Sequence, residues 1–268
     1  MVVPRRTIRR ECSTPLWTAT VAVLLFLGAA AVSADELRVM TSGAFTAAYL
    51  ELAPVFERAT GHRMTTLSTS STGPTGVNAR LERGDAVDVV IVSDGDLERL
   101  TKAGHIRPGS RVDLASSAIG MAVRQGAPKP DISTVDGLRR ALLEAKSIAY
   151  SASVSGNYLA NEVFQRLGIA DRVLPKSRRI EGERVGVVVA RGDAEIGFQQ
   201  ISELLPVAGI DFVGPLPAEV QRVTVFAAGV GTSSPHPDVA RRFIEFLASP
   251  AAASAIQKSA LEAIQPRP

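Results

Sequence analysis

The residues able to do chemistry are mostly hydroxyls and glycines, gathered in short loops with a single arginine. Thr41-Ser42-Gly43-Ala44, Ser68-Thr69-Ser70-Ser71-Thr72-Gly73 and Ser151-Ala152-Ser153-Val154-Ser155-Gly156-Asn157 each follow a strand-like run and open a helix-like one. A fourth loop, Glu181-Gly182-Glu183-Arg184, also opens a helical stretch. A helix N-terminus offers unpaired backbone N–H groups and a partial positive charge. Serine and threonine add hydroxyl donors, and glycine lets the backbone approach a ligand. Several such loops converging on one cleft suit a small anion. Amides and hydroxyls alone suit a compact oxyanion, whereas Arg184 favours a two-pronged grip on a carboxylate or phosphate. Each loop taken alone is equally well a set of cap and turn residues.

Other chemistries find no support. The chain of 268 residues has one cysteine and three histidines, so it has neither a disulfide framework nor a cysteine-based zinc site. His62 and His236 sit in turn-like contexts that leave them solvated. Asp94-Gly95-Asp96 lacks the further ligands of a calcium loop and reads as a helix start. Gly229-Val230-Gly231 follows a strand, but Pro235 and Pro237 come too soon for the helix a dinucleotide site needs. Ser153-Val154-Ser155-Gly156 lacks the leading glycine of a nucleophile elbow. The expectation is a protein without metal, cofactor or catalytic machinery.

The N-terminus reads as a leader. Arg5, Arg6, Arg9 and Arg10 precede the apolar stretch Leu16–Val32, and Val32-Ser33-Ala34 has the small residues of a cleavage site. Residues 1–34 are therefore expected to be a signal peptide cleaved after Ala34, placing the mature chain in the periplasm. The formal charge of the whole sequence is +3. Removing four Arg and Glu11 takes the basic count from 30 to 26 and the acidic count from 27 to 26. The basic excess belongs to the leader, so nucleic acid is not an expected partner. Cys12 and Trp17 leave with it.

The elements that must hold the loops alternate. Leu37–Thr41, Met64–Leu67 and the nearly continuous apolar run Val87–Val92 read as strands. Between them, Phe45 to Gly61 and Val77 to Arg83 have helical spacing, with Pro54 as a potential kink. The pattern resumes with strands at 119–123, 148–150, 194–198, 210–213 and 222–228, and helices at 135–145, 157–167, 182–190, 239–247 and 251–264. This is an α/β chain with mostly parallel sheets. Two long segments, 112–123 and 220–228, read as crossovers. They divide the mature chain into one lobe of 35–118 plus 226–268 and an inserted second lobe of 119–225, hinged around a cleft.

Taken together, Ser42-Gly43-Ala44 after the first strand, Ser70-Ser71, Val87–Asp94 and Ala194–Gln200 resemble the periplasmic molybdate-binding proteins, type II periplasmic binding proteins of ABC importers. The resemblance covers essentially the whole mature chain. It implies a two-lobed α/β fold with two hinge crossovers, a ligand buried between the lobes, and an ABC permease as partner to a monomer. The family holds its oxyanion with hydroxyls and backbone N–H groups and no cation. The loops and the resemblance together give as expected ligand contacts Ser42, Gly43, Ser70 and Ser71 from one lobe, and Ser155, Gly156, Gly182, Gln199 and Gln200 from the other, with Arg184 added from the loop reading as a departure from the family. The family's first serine falls at Ala44, with Ser42 two residues away, and its ligand tyrosine falls at Gln200 or Gln199. The ligand is thus a molybdate-like oxyanion or a small organic carboxylate, taken up or sensed, with an enzyme on the same fold the less favoured reading.

Overall fold

The computed structural model describes residues 1–2 and 34–264, so the expected leader lies almost wholly outside the described residues. The strands are β1 (Glu36–Thr41), β2 (Arg63–Ser68), β3 (Val89–Ser93), β4 (Val112–Ser117), β5 (Ile119–Arg124), β6 (Ile148–Ser151), β7 (Ser177–Ile180), β8 (Ile196–Gln200), β9 (Ile210–Pro215), β10 (Thr224–Val230) and β11 (Glu262–Ala263). The helices are α1 (Gly43–Thr60), α2 (Val77–Glu82), α3 (Asp94–Lys102), α4 (Val135–Glu144), α5 (Val154–Tyr158), α6 (Phe164–Arg166), α7 (Ala170–Val173), α8 (Val185–Ala190), α9 (Ile201–Leu204), α10 (Pro237–Leu247) and α11 (Ala253–Lys258). A π-helical stretch, Leu159–Val163, joins α5 to α6.

Two sheets form. The first has the order β11-β4-β10-β3-β1-β2 and the second β7-β6-β8-β5-β9. Each is covered on both faces, which explains the near-continuous apolar sequence of β3. Val89 and Ile91 join Phe45, Tyr49 and Phe243 on one face, while Val90 and Val92 join Val77, Leu97 and Leu100 on the other. The alternation is the two-residue period of a strand. In the second sheet, Ile148 and Tyr150 face the Leu138, Leu159 and Phe164 cluster, and Ala149 faces Val185 and Val188. The chain passes from the first sheet to the second at Ala118 and returns between Pro215 and Thr224.

The sheets are mixed, not mostly parallel. Helix-linked neighbours β1–β2, β1–β3, β6–β7 and β6–β8 are parallel, as βαβ connections require. The strands flanking the crossovers run the other way: β10 pairs antiparallel with β3 and β4, and β5 with β8 and β9. A strand that enters a sheet from the far lobe need not follow its helical winding. The chain's last helical stretch also stops early. α11 ends at Lys258, Ala260 turns at φ +56, and β11 pairs with β4.

Helix α1 runs through Pro54 without interruption. The carbonyl that loses its partner belongs to Leu50, a residue 54% exposed, so the lost bond falls on the solvent side of the helix, where it costs least. His62, expected in solvent, is buried; its Nδ1 accepts from the backbone N–H of Asp35 at 3.2 Å. Among the described residues no helix is long and apolar enough to cross a membrane.

Candidate functional site

The N-termini of α1, α5 and α8, the loop after β2 and the start of α9 enclose one cavity of about 150 Å³. Pockets for drug-sized molecules begin near about 300 Å³, so this one suits a compact solute. Of the residues expected to bind ligand, Ser42, Gly43, Ser70, Ser71, Gly182, Arg184, Gln199 and Gln200 line it. Ser155 and Gly156 do not; they stand one layer behind, where Ser151 and Ser153 form the wall.

Ser42 occupies the N-cap of α1 with extended backbone, yet its hydroxyl does not cap the helix. That hydroxyl is buried without a partner among the described residues. Leaving such a group unpaired costs about 1–3 kcal/mol, a cost that a ligand acceptor in the cavity would offset. Its carbonyl is already engaged by the Thr46 hydroxyl at 2.8 Å. In the second loop, the Ser70 hydroxyl serves the turn, donating to the Thr72 carbonyl at 3.1 Å. Ser71 is buried and its hydroxyl makes no bond to another described residue.

Behind the opposite wall, the Ser151 hydroxyl lies 2.8 Å from that of Ser153 and 3.0 Å from that of Ser155. Gly156 makes this cluster possible, because a β-carbon there would stand 1.8 Å from the Ser151 carbonyl oxygen. Gly156→Ala is therefore expected to destabilise the protein by about 1–3 kcal/mol, a fall in melting temperature of several degrees. Thermal unfolding of the variant checks this.

Gly182 turns at φ +73 and offers its N–H toward the Thr72 hydroxyl at 3.5 Å. A β-carbon on Gly73 would lie 3.0 Å from the Gly182 α-carbon, so loop tips from the two sheets meet across the mouth of the cleft. Arg184 is the N-cap of α8 and half-buried. Its guanidinium makes no hydrogen bond or ion pair with another described residue. Arg191 nearby, by contrast, is held by Glu183 and Asp193.

Gln200 is buried and spans both crossovers. With its amide oriented to satisfy every neighbour, it donates to the carbonyls of Ser117 and Ala118 at 3.1 and 3.2 Å and accepts from the Thr224 hydroxyl at 2.9 Å. Its side chain is thus spent on joining the two crossovers. Gln199 accepts from the Val185 N–H at 2.8 Å and donates to Glu203 Oε1 at 2.9 Å.

Glu203 is the cavity residue that the sequence does not reveal. It lies on α9, from the second sheet, and its carboxyl rests over Gly43 at the N-terminus of α1, from the first. A β-carbon on Gly43 would come within 2.2 Å of Oε1. Burial pushes the carboxyl up to about 7, against the opposing pull of the Arg184 charge and the Gln199 amide. Asp96 also lines the cavity, but it is occupied by the Ser93 hydroxyl at 2.9 Å and Arg99 at 3.2 Å. The site therefore holds one unpaired cation, one carboxyl poised near neutrality and a wall of hydroxyls. Together they can grip an acidic ligand and exchange a proton with it.

Residues 37–261 match the family model described as bacterial extracellular solute-binding protein. A curated aconitate isomerase from Pseudomonas sp. is 42% identical over 241 residues, covering 89% of this chain and 92% of that protein. The molybdate-binding protein ModA of Azotobacter vinelandii is 31% identical over 183 residues, covering 66% and 69%. The solved periplasmic molybdate-binding protein of A. vinelandii superposes with a TM-score of 0.67 at 23% identity, over 86% of this chain and all of that one. At that identity the likeness speaks for the two-lobed fold.

Proposed function

We propose, since this chain belongs to the bacterial extracellular solute-binding protein family, that its cleft binds a small organic polycarboxylate and moves a proton on it. Glu203 carries this reading. An inorganic dianion needs only neutral donors, and an ionised carboxylate about 4 Å away would oppose it by roughly 8 kcal/mol at an effective dielectric of 20. An organic polycarboxylate can instead set its reacting carbon, and not a charged oxygen, beside Glu203. A carboxyl held near neutrality beside an unpaired arginine is instead the equipment of a general acid–base that acts on a carboxylic acid.

The name of the 42%-identical relative supplies a reaction that fits. Aconitate is an unsaturated tricarboxylic acid, and its isomerisation requires neither oxidant nor cofactor. Ionised Glu203 takes a proton from the methylene carbon beside the double bond. The electron pair of that C–H bond becomes the new double bond as the old one opens toward its far carbon. Glu203 returns the proton to that far carbon. Arg184 grips one ligand carboxylate, while Ser42, Ser71 and the N-terminus of α1 receive another. Dispersing charge into the carboxylates stabilises the carbanionic transition state.

A second reading is uptake: the same cleft would present the acid to an ABC permease from the periplasm, after removal of the leader. The similarity to ModA favours it, and it shares the ligand with the first. Incubating residues 35–268 with cis- or trans-aconitate in D₂O and following the proton spectrum separates the two. Interconversion with deuterium incorporation is the expected result. A melting-temperature rise with the acid but no exchange would leave uptake; a rise with molybdate alone would overturn the carboxylate reading.

A further inference from the structure

The two oxygens of Glu203 are not equivalent. Gln199, on β8 and 3% exposed, lies between Glu203 and the first turn of α8. Its Oε1 accepts from the Val185 N–H at 2.8 Å, and its Nε2 donates to Glu203 Oε1 at 2.9 Å. A backbone N–H only donates, so Val185 determines which end of the amide faces it. The other end is then a donor, and in this hydrogen bond Glu203 Oε1 is the acceptor. A proton on Oε1 would weaken that oxygen as the acceptor of the amide, whereas a proton on Oε2 leaves the bond intact. Glu203 Oε2 has no hydrogen-bond partner among the described residues.

We infer that Gln199 is a positioning residue that confines the mobile proton of Glu203 to Oε2, so that this oxygen alone exchanges it with the ligand. The assignment rests on the proposed acid–base role for its functional meaning. Its structural part stands on the Val185–Gln199–Glu203 chain by itself. A carboxyl free to protonate on either oxygen would present its proton in two directions, only one of which suits a given carbon. The amide also stabilises the ionised form.

The other elements packed against α9 leave that amide as the group to test. The turn before α8 contributes Arg184, and α1 contributes its N-terminus, with no acidic residue in its first turn. β5 contributes the uncharged Gly120, where a β-carbon would come within 3.0 Å of Ile201 on α9. Among these, Arg184 is the charged group acting on Glu203.

The test uses protein labelled with ¹³C at the glutamate side-chain carboxyl, the Glu203 signal being identified by its absence from E203Q. Q199M removes the amide. V185P keeps Gln199 but removes the N–H that orients it, at the first helical position where proline is tolerated and after a residue, Arg184, that already has extended backbone. In either variant that folds and binds propane-1,2,3-tricarboxylate, the Glu203 titration is expected to move up by about one pH unit, the size of a lost hydrogen bond to a charge. The rising limb of the kcat profile is expected to move with it, and kcat to fall more than KM changes. An unmoved titration in folded variants overturns the assignment. A shifted titration in a protein that never exchanges deuterium keeps the assignment of the proton and overturns the catalytic reading instead.

Discussion

Replacing Glu203 by glutamine is expected to flatten the pH dependence of stability and to cut proton exchange on the ligand by about 10²- to 10⁴-fold, the usual contribution of a positioned acid–base group. The sign of the stability effect follows from the direction of the shift. The folded protein holds the Glu203 proton up to about pH 7, while an unfolded glutamate releases it near 4.5. Between these values the native state binds more protons than the unfolded one, so stability falls as pH rises. The Glu203 contribution is fully present below the unfolded value and is lost as pH climbs through the folded one. Over that window the change is on the order of 3 kcal/mol. E203Q keeps the shape and the hydrogen bond from Gln199 but has no proton to lose. It is expected to match the parent in acid and exceed it in stability above pH 7. Urea unfolding from pH 4 to 9 reads both, and parallel curves for parent and variant would contradict the buried titration.

Arg184→Gln is expected to weaken binding of a tricarboxylate by roughly 30- to 1,000-fold, as removing one partner of a desolvated charge pair generally does. Arg184→Lys should recover part of the loss, because the charge returns without the planar fork. Titration calorimetry with propane-1,2,3-tricarboxylate measures both. A second effect distinguishes Arg184 from an ordinary surface arginine. Its charge opposes the upward shift of Glu203, so Arg184→Gln should also raise the pH at which exchange begins. Equal affinities for parent and both variants would mean that the guanidinium points away from the bound acid.

Much of this was legible in the chain, and the exceptions share a cause. Ser42, Gly43, Ser71, Gly182 and Arg184 could be picked out because hydroxyls and glycines at strand ends announce helix N-termini, a local signal. β3 was legible because burial on both faces leaves five apolar or small residues in a row. Glu203 carries no such mark. In Gln199-Gln200-Ile201-Ser202-Glu203 it reads as the polar face of a short helix, and only the approach of α1 from the other sheet buries it. The same holds for β7, whose Ser177-Arg178-Arg179-Ile180 is too polar for the strand pattern and pairs at the sheet edge with β6. Ser155 and Gly156 lie behind the cavity wall and not in it. The loop gives its wall to Ser151 and Ser153 because α5 starts at Val154. The sheets' antiparallel members were hidden because strand direction at a crossover is a property of topology and not of composition.

The place of β10 in the first sheet has a consequence for how the molecule assembles. It spans Thr224–Val230 and sits between β3 and β4, so it is both interior to the sheet and late in the chain. The second sheet draws all its strands from a single continuous stretch, Ile119 to Pro215. As the polypeptide emerges from the ribosome, the second sheet has every strand it needs while the first still lacks its centre, leaving β4 parted from β3, β1 and β2. Pairings across that gap span more than a hundred residues, which slows their formation. A half-built first sheet also keeps the cleft between the two sheets from forming until β10, at Thr224–Val230, has been made.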